Sequence, residues 1–254
     1  MQIKELRGRI VEWLRNYITH SHKDGYVLGM SGGIDSTVLA LLSKEATVPV
    51  DKKVLGLILP VSINGPDYYD SSIAEKVAKD FDIPYKVIDL GSVYVSILAL
   101  IERNAPNVSY TNIKARLRSA ILYFYANMMN YLVLGTVNKG EFYIGYFPKN
   151  SSAGDIMPLA DLLKSDIRDI GRSYGLSEDL CNRKASGCVW GVTAEEEWGF
   201  NENELDRMVV GIDSHGEEGF LDNLPDICLD KKEYFLSKYK ESKHKREFYP
   251  IFKK

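Results

Sequence analysis

Cysteine and long apolar runs are scarce in this sequence. Its 254 residues include three cysteines, Cys181, Cys188 and Cys228, which form neither a CxxC pair nor an even-numbered set. That pattern excludes a disulfide framework, and we expect reduced thiols in a cytoplasmic protein. No apolar run approaches the roughly 20 residues that a membrane-spanning helix needs. Residues 1–18 place apolar side chains at helical spacing among charges, which predicts an amphipathic helix and not a signal peptide.

The sequence also lacks a large excess of one charge and has few histidines. Lysine and arginine number 32 against 35 acidic residues, and the formal net charge of −3 gives no general basic field for nucleic acid. We therefore expect neither a nucleic-acid nor a membrane partner. The four histidines form no evident catalytic triad.

Short apolar runs alternate with amphipathic stretches in the first two thirds of the chain. The apolar runs predict buried strands at 26–30, 54–60, 85–90 and 131–136. The other stretches predict helices at 36–45, 66–80, 91–103, 112–130 and 161–174. This alternation predicts an α/β fold, with a parallel sheet and helices on both faces, in a single domain over 1–254. After about residue 180 the pattern weakens, and 186–200 is interpreted as a mobile loop.

A glycine- and hydroxyl-rich turn follows the first predicted strand. The sequence SGGIDST occupies residues 31–37 and leads into an apolar helix. Gly32 and Gly33 allow a tight turn and a close approach of the backbone to a ligand. The start of the new helix offers unpaired N–H groups and the positive end of its dipole, which favour an anion. Additional hydroxyl groups come from Ser31, Ser36 and Thr37. The turn is therefore predicted to bind phosphate.

Asp35 is the one residue of this turn that would repel a phosphate. The conflict is removed if Mg²⁺ lies between its carboxylate and the phosphate oxygens. Alternatively, Asp35 or Ser36 merely caps the helix, which leaves the two glycines and the other polar groups unexplained. Glu141 follows the strand at 131–136 and can face the same end of the sheet, where it would supply a second metal ligand. The alternative for Glu141 is an exposed side chain in a loop.

The turn is not a Walker loop, because GxxxxGK[ST] is absent from the chain. SGGxDS instead resembles the signature of the ATP-pyrophosphatase superfamily, whose fold is Rossmann-like and of the adenine-nucleotide α-hydrolase type. Members cleave ATP between the α and β phosphates and form adenylates of a carboxylate, a carbonyl or a base oxygen. The resemblance implies the type of reaction but not the substrate.

Three further segments resemble blocks of ammonia-dependent NAD synthetase. They are NIKARLRSAILYFYAN at 112–127, the block at 131–164 that contains LGTVNKGE and PLADLLK, and HKR at 244–246. The resemblance implies that the chain converts nicotinic acid adenine dinucleotide (deamido-NAD) to NAD with ATP, Mg²⁺ and ammonia, as a homodimer. The chain leaves no room for the glutaminase domain of glutamine-dependent forms, so we expect free ammonia, or ammonia from a separate protein.

The resemblance also assigns roles to the matching residues. The catalytic pair is Asp35 and Lys164, and the metal ligands are Asp35 and Glu141. The ATP site comprises Gly29, Ser31, Gly32, Gly33, Asp35, Ser36, Thr136, Lys164 and Ser186, and would be closed by HKR from the C-terminal side. The substrate site comprises Asn112, Arg116, Tyr123, Lys149, Asp155, His244 and Lys245. Taken alone, Lys164 is more often a solvated charge and Tyr123 is as often part of the core.

Three departures from the family pattern lie near the carboxylate to be activated. NSSAG at 150–154 replaces YGDGG, the late loop at 185–197 reads ASGCVWGVTAEEE, and GTVNKGE replaces GTGNKSE. A paralogous ligase that amidates another carboxylate is therefore an alternative. An RNA-modifying enzyme would need a catalytic cysteine pair or a basic extension, and neither occurs; a non-catalytic nucleotide-binding module is the third alternative.

Overall fold

A four-stranded sheet lies at the centre of the fold. The computed structural model describes residues 2–61, 66–102, 104–151, 154–184, 193–247 and 251–252. The strands are β1 (Gly25–Gly29), β2 (Lys53–Ile58), β3 (Tyr85–Val87) and β4 (Tyr131–Leu134), in the spatial order β3-β2-β1-β4. Every pairing is parallel. The predicted parallel α/β sheet is therefore confirmed, with strands that end one to three residues before the predicted limits.

Helices cover both faces of the sheet, as the alternation of apolar and amphipathic segments predicts. On one face, Tyr26 and Leu28 belong to a core shared with α1 (Ile3–His20), α2 (Ile34–Thr47), α3 (Pro66–Asp80) and α7 (Lys164–Ser173). On the other face, Val27 and Val133 contribute to a core with α4 (Gly91–Leu98) and α5 (Asn107–Met129). Successive residues of β1 thus enter different cores, because side chains alternate across a strand.

The strand limits differ because burial extends beyond strand pairing. Leu59 and Leu90 are buried in the core on the α5 face, yet both lie after the ends of their strands. Their apolar character therefore prolongs the strand-like pattern into the loops. Helix α5 begins earlier than predicted, directly after Pro106, and ends at Met129. The next residue, Asn130, has a φ of +57° and terminates the helix in the left-handed conformation.

A third core lies among helices from the second half of the chain, where the sequence pattern was expected to weaken. It joins α6 (Lys139–Ile144), α9 (Ala194–Trp198), α10 (Glu202–Gly219) and α11 (Leu229–Glu241). The short helix α12 (Lys243–Arg246) follows α11, whereas α8 (Glu178–Cys181) packs beside α7 in the first core, through Leu180 and Cys181. The interpretation of 186–200 as a loop is wrong for α9, which Thr193 and Glu196 stabilise with a capping box. No helix in the described ranges is long and apolar enough to cross a membrane.

Candidate active site

The predicted phosphate-binding turn starts where β1 ends at Gly29. Gly32 has a φ of +79°, and a Cβ at this position would lie 2.3 Å from the backbone oxygen of Asp70. Glycine is therefore required both for the backbone conformation and for space. Arg183 donates a hydrogen bond of 3.4 Å to the Gly32 carbonyl and also pairs with the Asp70 carboxylate. These contacts fix the turn against α3.

Helix α2 begins in this turn, and no described side chain caps its first N–H groups. Ser36 Oγ accepts the N–H of Ser31 at 3.1 Å and donates to the Gly33 carbonyl at 3.1 Å. The hydroxyl of Thr37 is buried and has no hydrogen-bond partner among the described residues. Capping by Asp35 or Ser36 therefore does not explain the turn, which keeps the open helix start that a phosphate binds.

Asp35 turns towards Lys164, the first residue of α7. Its Oδ2 lies 2.5 Å from Lys164 Nζ, and its Oδ1 accepts a hydrogen bond of 3.3 Å from Asn138 Nδ2. Only 6% of the Lys164 side chain and 16% of the Asp35 side chain are exposed. Lys164 is therefore a buried ion-pair partner and not a solvated surface charge.

Glu141 approaches the same place from the first turn of α6. It forms a capping box with Asn138: the Glu141 N–H donates to Asn138 Oδ1 at 3.0 Å, and the Asn138 N–H donates to Glu141 Oε2 at 3.1 Å. Burial and the negative charge of Asp35 raise the pKa of Glu141 to about 8, against the opposing charge of Lys164. Asn138 thus connects Glu141 with Asp35, and Glu141 is not an exposed side chain in a loop.

Two acidic residues of α10, Glu202 and Asp206, hold the start of α7. Glu202 Oε1 lies 3.5 Å from Lys164 Nζ, and its other oxygen pairs with Arg168. The Asp206 carboxylate accepts the N–H of Lys164 at 3.0 Å and the N–H of Ser165 at 2.9 Å. Asp206 therefore caps α7, while Glu202 contacts the charged end of the lysine.

Five ionisable side chains together form a carboxylate–lysine cluster: Asp35, Glu141, Lys164, Arg168 and Glu202. Burial alone would lower the pKa of Lys164, but the charges of Asp35, Glu202 and Glu141 raise it above its ordinary value. Lys164 is therefore a fixed cation beside the phosphate-binding turn. The described residues contain no group of three or more His, Cys, Asp or Glu side chains that could hold a metal ion.

Comparison with known proteins assigns a family to this arrangement. The family model for NAD synthase matches residues 6–249. The chain belongs to the NAD synthase family. An NH(3)-dependent NAD(+) synthetase from Finegoldia magna is 34% identical over 254 residues, which cover 99% of this chain and 97% of the relative. The resemblance inferred from the motifs is thereby confirmed.

Two solved structures share the whole fold with this member of the NAD synthase family. An NMN synthetase from Francisella tularensis has a TM-score of 0.86 at 29% identity, covering 99% of this chain and 98% of that chain. An NH3-dependent NAD synthetase from Campylobacter jejuni has a TM-score of 0.80 at 25% identity, covering 100% of both chains. The expected adenine-nucleotide α-hydrolase type of fold agrees with these matches.

The expected substrate residues form two groups in the structure. The first group lies on and beside α5 and consists of Asn112, Arg116, Tyr123 and Asp155. Arg116 is exposed, and its guanidinium donates a hydrogen bond of 3.2 Å to the carbonyl of Asn112. Tyr123 packs against the core on that face, and its hydroxyl donates to Asp155 Oδ1 at 3.3 Å. Asp155 Oδ2 also accepts the N–H of Val133 at 2.8 Å, so this carboxylate pairs with the edge of β4. The ring of Tyr123 therefore packs against the core, while its hydroxyl makes a polar contact with Asp155.

The second group of expected substrate residues, Lys149, His244 and Lys245, lies near the C-terminal end of α6. Lys149 donates a hydrogen bond to the carbonyl of His244. Lys245 donates to the carbonyls of Gly145 at 2.6 Å and Phe147 at 2.9 Å. The HKR segment thus contacts the end of α6 opposite to the carboxylate–lysine cluster.

A cleft of about 510 Å³ opens beside this second group. Its walls include Tyr146, Trp198, Phe200, Tyr234, His244 and Lys245. The indole N–H of Trp198 is buried and has no hydrogen-bond partner in the part of the chain that the structure describes. Glu197 and Glu241 also line the cleft, so it combines aromatic side chains, which suit a planar ring, with charges of both signs.

The remaining predicted positions fall at the edges of the site. Thr136 is half-buried in the connection between β4 and α6. It follows the carboxyl end of β4, which lies at the same end of the sheet as Gly29 in β1. Ser186 lies outside the described residues, as does Cys188. Sequence reasoning missed Asn138, although the N-x-x-E pattern of its capping box was a usable signal.

Gly32→Ala should destabilise the fold by about 3 kcal/mol, because the new methyl group meets the Asp70 carbonyl in a left-handed backbone. The matched control is Gly33→Ala, where φ is −85° and the nearest atom to a Cβ is Ser31 Oγ at 3.4 Å. We expect that control to lose about 1 kcal/mol or less. Urea unfolding of the three proteins measures both changes, and equal losses would contradict the steric explanation.

Proposed function

We propose that the chain catalyses the ATP-dependent amidation of nicotinic acid adenine dinucleotide by ammonia, which yields NAD, AMP and pyrophosphate. The observation that carries this proposal is the 2.5 Å contact between Lys164 Nζ and Asp35 Oδ2 beside an uncapped helix start. A phosphate site, a cation and carboxylates meet there, as cleavage between the α and β phosphates of ATP requires. Membership of the NAD synthase family supports the choice of substrate.

The phosphate-binding turn holds the triphosphate in this proposal. The N–H groups at the start of α2 and the hydroxyls of Ser31 and Thr37 supply hydrogen-bond donors. A carboxylate oxygen of the substrate attacks the α-phosphorus, the bond to the β-phosphate oxygen breaks, and an acyl adenylate forms. Lys164, already fixed and charged, stabilises the departing pyrophosphate.

Asp35 and Glu141 fit the role of Mg²⁺ ligands. They lie close enough for Asp35 to raise the pKa of Glu141, and paired carboxylates are the hard oxygen donors that Mg²⁺ prefers. Two protein carboxylates suffice for an ion that is completed by substrate phosphates and water. When bound, the ion would neutralise the negative charge of the triphosphate and of the leaving pyrophosphate.

The second step needs little acid–base help from the protein. Ammonia attacks the acyl carbon, the bond to the AMP oxygen breaks, and AMP departs with the electron pair while the new nitrogen loses a proton. AMP is a good leaving group, so no histidine is required near the reacting atoms. The carboxylate–lysine cluster accordingly contains none of the chain's four histidines.

A second candidate substrate is nicotinic acid mononucleotide, whose amidation gives NMN. The observation that favours it is the TM-score of 0.86 with the NMN synthetase, against 0.80 with the NH3-dependent NAD synthetase. Both substrates present the same pyridine carboxylate, so the same cluster would serve either reaction. The difference between them is the second nucleotide, so only a contact with that nucleotide would distinguish the two substrates.

We further propose that the protein is a cytoplasmic homodimer in which α5 contacts a second copy. Val108, Phe124 and Met128 on this helix are each more than half exposed. Such apolar side chains favour an interface. Contact there would bring the exposed Arg116 close to the second chain, where it could meet a substrate phosphate. Free thiols at Cys181 and Cys228 suit a reducing compartment.

Asp35→Asn should keep the fold but lower the rate of pyrophosphate release by roughly a hundredfold, because charge on the triphosphate is no longer compensated. Asp169→Asn is the matched control, since this carboxylate pairs with Arg172 on the exposed side of α7. Release is measured against Mg²⁺ concentration for all three proteins. Near-normal turnover of Asp35→Asn with an unchanged Mg²⁺ requirement would refute the metal assignment.

The substrate is tested by following AMP formation from ATP and ammonium with either nucleotide. We expect turnover with the dinucleotide, and none when glutamine replaces ammonium. Arg116→Ala should raise the apparent requirement for the dinucleotide by roughly 10- to 100-fold, and that for ATP much less, because a guanidinium–phosphate contact is lost. Arg207→Ala is the control, since Arg207 forms an exposed pair with Asp226. Turnover with the mononucleotide alone would replace the first candidate by the second.

Phe124→Asp should convert the dimer to a monomer, because a charge would be buried against apolar side chains of the second copy. Sedimentation velocity measures the change in mass. The control is Trp13→Asp, which changes an exposed aromatic side chain of α1 and should leave the dimer intact. A wild-type protein that sediments as a monomer would disprove the assembly.

A further inference from the structure

Glu202 is a buried carboxylate that contacts no reacting group in the proposed reaction. It is the first residue of α10, and only 6% of it is exposed. One oxygen lies 3.5 Å from Lys164 Nζ, and the other pairs with Arg168. Lys164 and Arg168 are four residues apart on α7, so they lie one above the other on the same face. Glu202 therefore spans one turn of α7 and touches both cations.

The position of Glu202 is itself fixed from two further directions. Its backbone N–H donates a hydrogen bond of 3.1 Å to Glu195 Oε1. Arg168, its ion-pair partner, also donates to the carbonyl of Cys181 at 3.1 Å. Four residues further along α10, Asp206 holds the backbone of Lys164. Helix α10 thus anchors both ends of this lysine residue, the backbone through Asp206 and the ammonium through Glu202.

The other partner of the ammonium, Asp35, has a second task when ATP binds. In the proposed function, Asp35 contributes its carboxylate to a metal ion beside the phosphates. A lysine has a long flexible side chain and would lose its defined position if that carboxylate were its sole anchor. Glu202 is a second anchor of the ammonium, and in the proposed function it does not bind the metal ion.

We propose that Glu202 is a positioning residue, which keeps the Lys164 ammonium at the phosphate-binding turn while ATP and metal engage Asp35. This inference rests on the proposed use of ATP. It predicts that removal of the Glu202 charge lowers the affinity for ATP, because Lys164 is no longer held in position. The stability of the fold should change little. An ion pair that served α7 and α10 alone would affect stability and leave ATP affinity unchanged.

The test is a double-mutant cycle on ATP affinity, measured by calorimetry with Mg²⁺ and without the second substrate. Glu202→Gln has nearly the same size and should bind ATP about tenfold more weakly, with a melting temperature close to that of the wild type. In a Lys164→Gln background, the same substitution should change affinity by less than about twofold. Glu202→Asp retains the charge and should bind ATP more tightly than Glu202→Gln.

Glu204→Gln is the matched control. This residue lies on the same helix and pairs with Lys231 at 2.7 Å, away from the cluster, so the substitution should leave ATP affinity unchanged. A folded Glu202→Gln protein that binds ATP with wild-type affinity would overturn the inference. So would a Glu202→Gln substitution that lowers ATP affinity as much in the Lys164→Gln background as in the wild type. Equal losses in the Gln and Asp variants would also contradict it. A wild-type protein that binds ATP but makes no amide product would instead refute the proposed function alone.

Discussion

A lysine ammonium buried among carboxylates is the constraint on which the rest of this site depends. Isolated burial of such a charge would cost several kcal/mol, so the fold tolerates Lys164 only because anions surround it. Asp35 and Glu202 contact it from two different helices. The positions of those helices are consequently not independent. A shift of either of them would leave a charge unpaired, which couples the phosphate-binding turn to the C-terminal helices by electrostatics.

The parallel sheet makes this convergence possible. The carboxyl ends of β1 and β4 lie at the same edge, and the chain leaves each strand directly into a helix that carries an acidic residue, Asp35 in α2 and Glu141 in α6. Gly32 permits the sharp turn after β1, and the capping box of Asn138 sets the start of α6. Local backbone chemistry thus helps to direct both carboxylates towards this edge of the sheet.

Local chemistry also explains how much of this could be predicted from the sequence. The strands, α2 and the glycine-rich turn have signatures within a few residues, and the structure contains them all, whereas α7 begins at Lys164, three residues later than predicted. Helix α10 was not predicted, although Leu205, Met208, Val209 and Ile212 repeat at helical spacing and are buried. Glu202 is different. In NENELD nothing separates it from its exposed neighbours, because its role depends on packing against a helix nearly forty residues earlier.

The same division between local and long-range effects bears on the choice of substrate. In the proposed function, the carboxylate–lysine cluster acts on ATP and on a pyridine carboxylate, which the dinucleotide and the mononucleotide share, so it cannot distinguish them. Discrimination requires contacts to the second nucleotide, and the candidates for those contacts lie outside the cluster, on α5. The contacts of Lys164 with Asp35, Glu202 and Asp206 involve no residue of that helix. Under the proposed function, substrate preference and adenylation therefore depend on different sets of contacts.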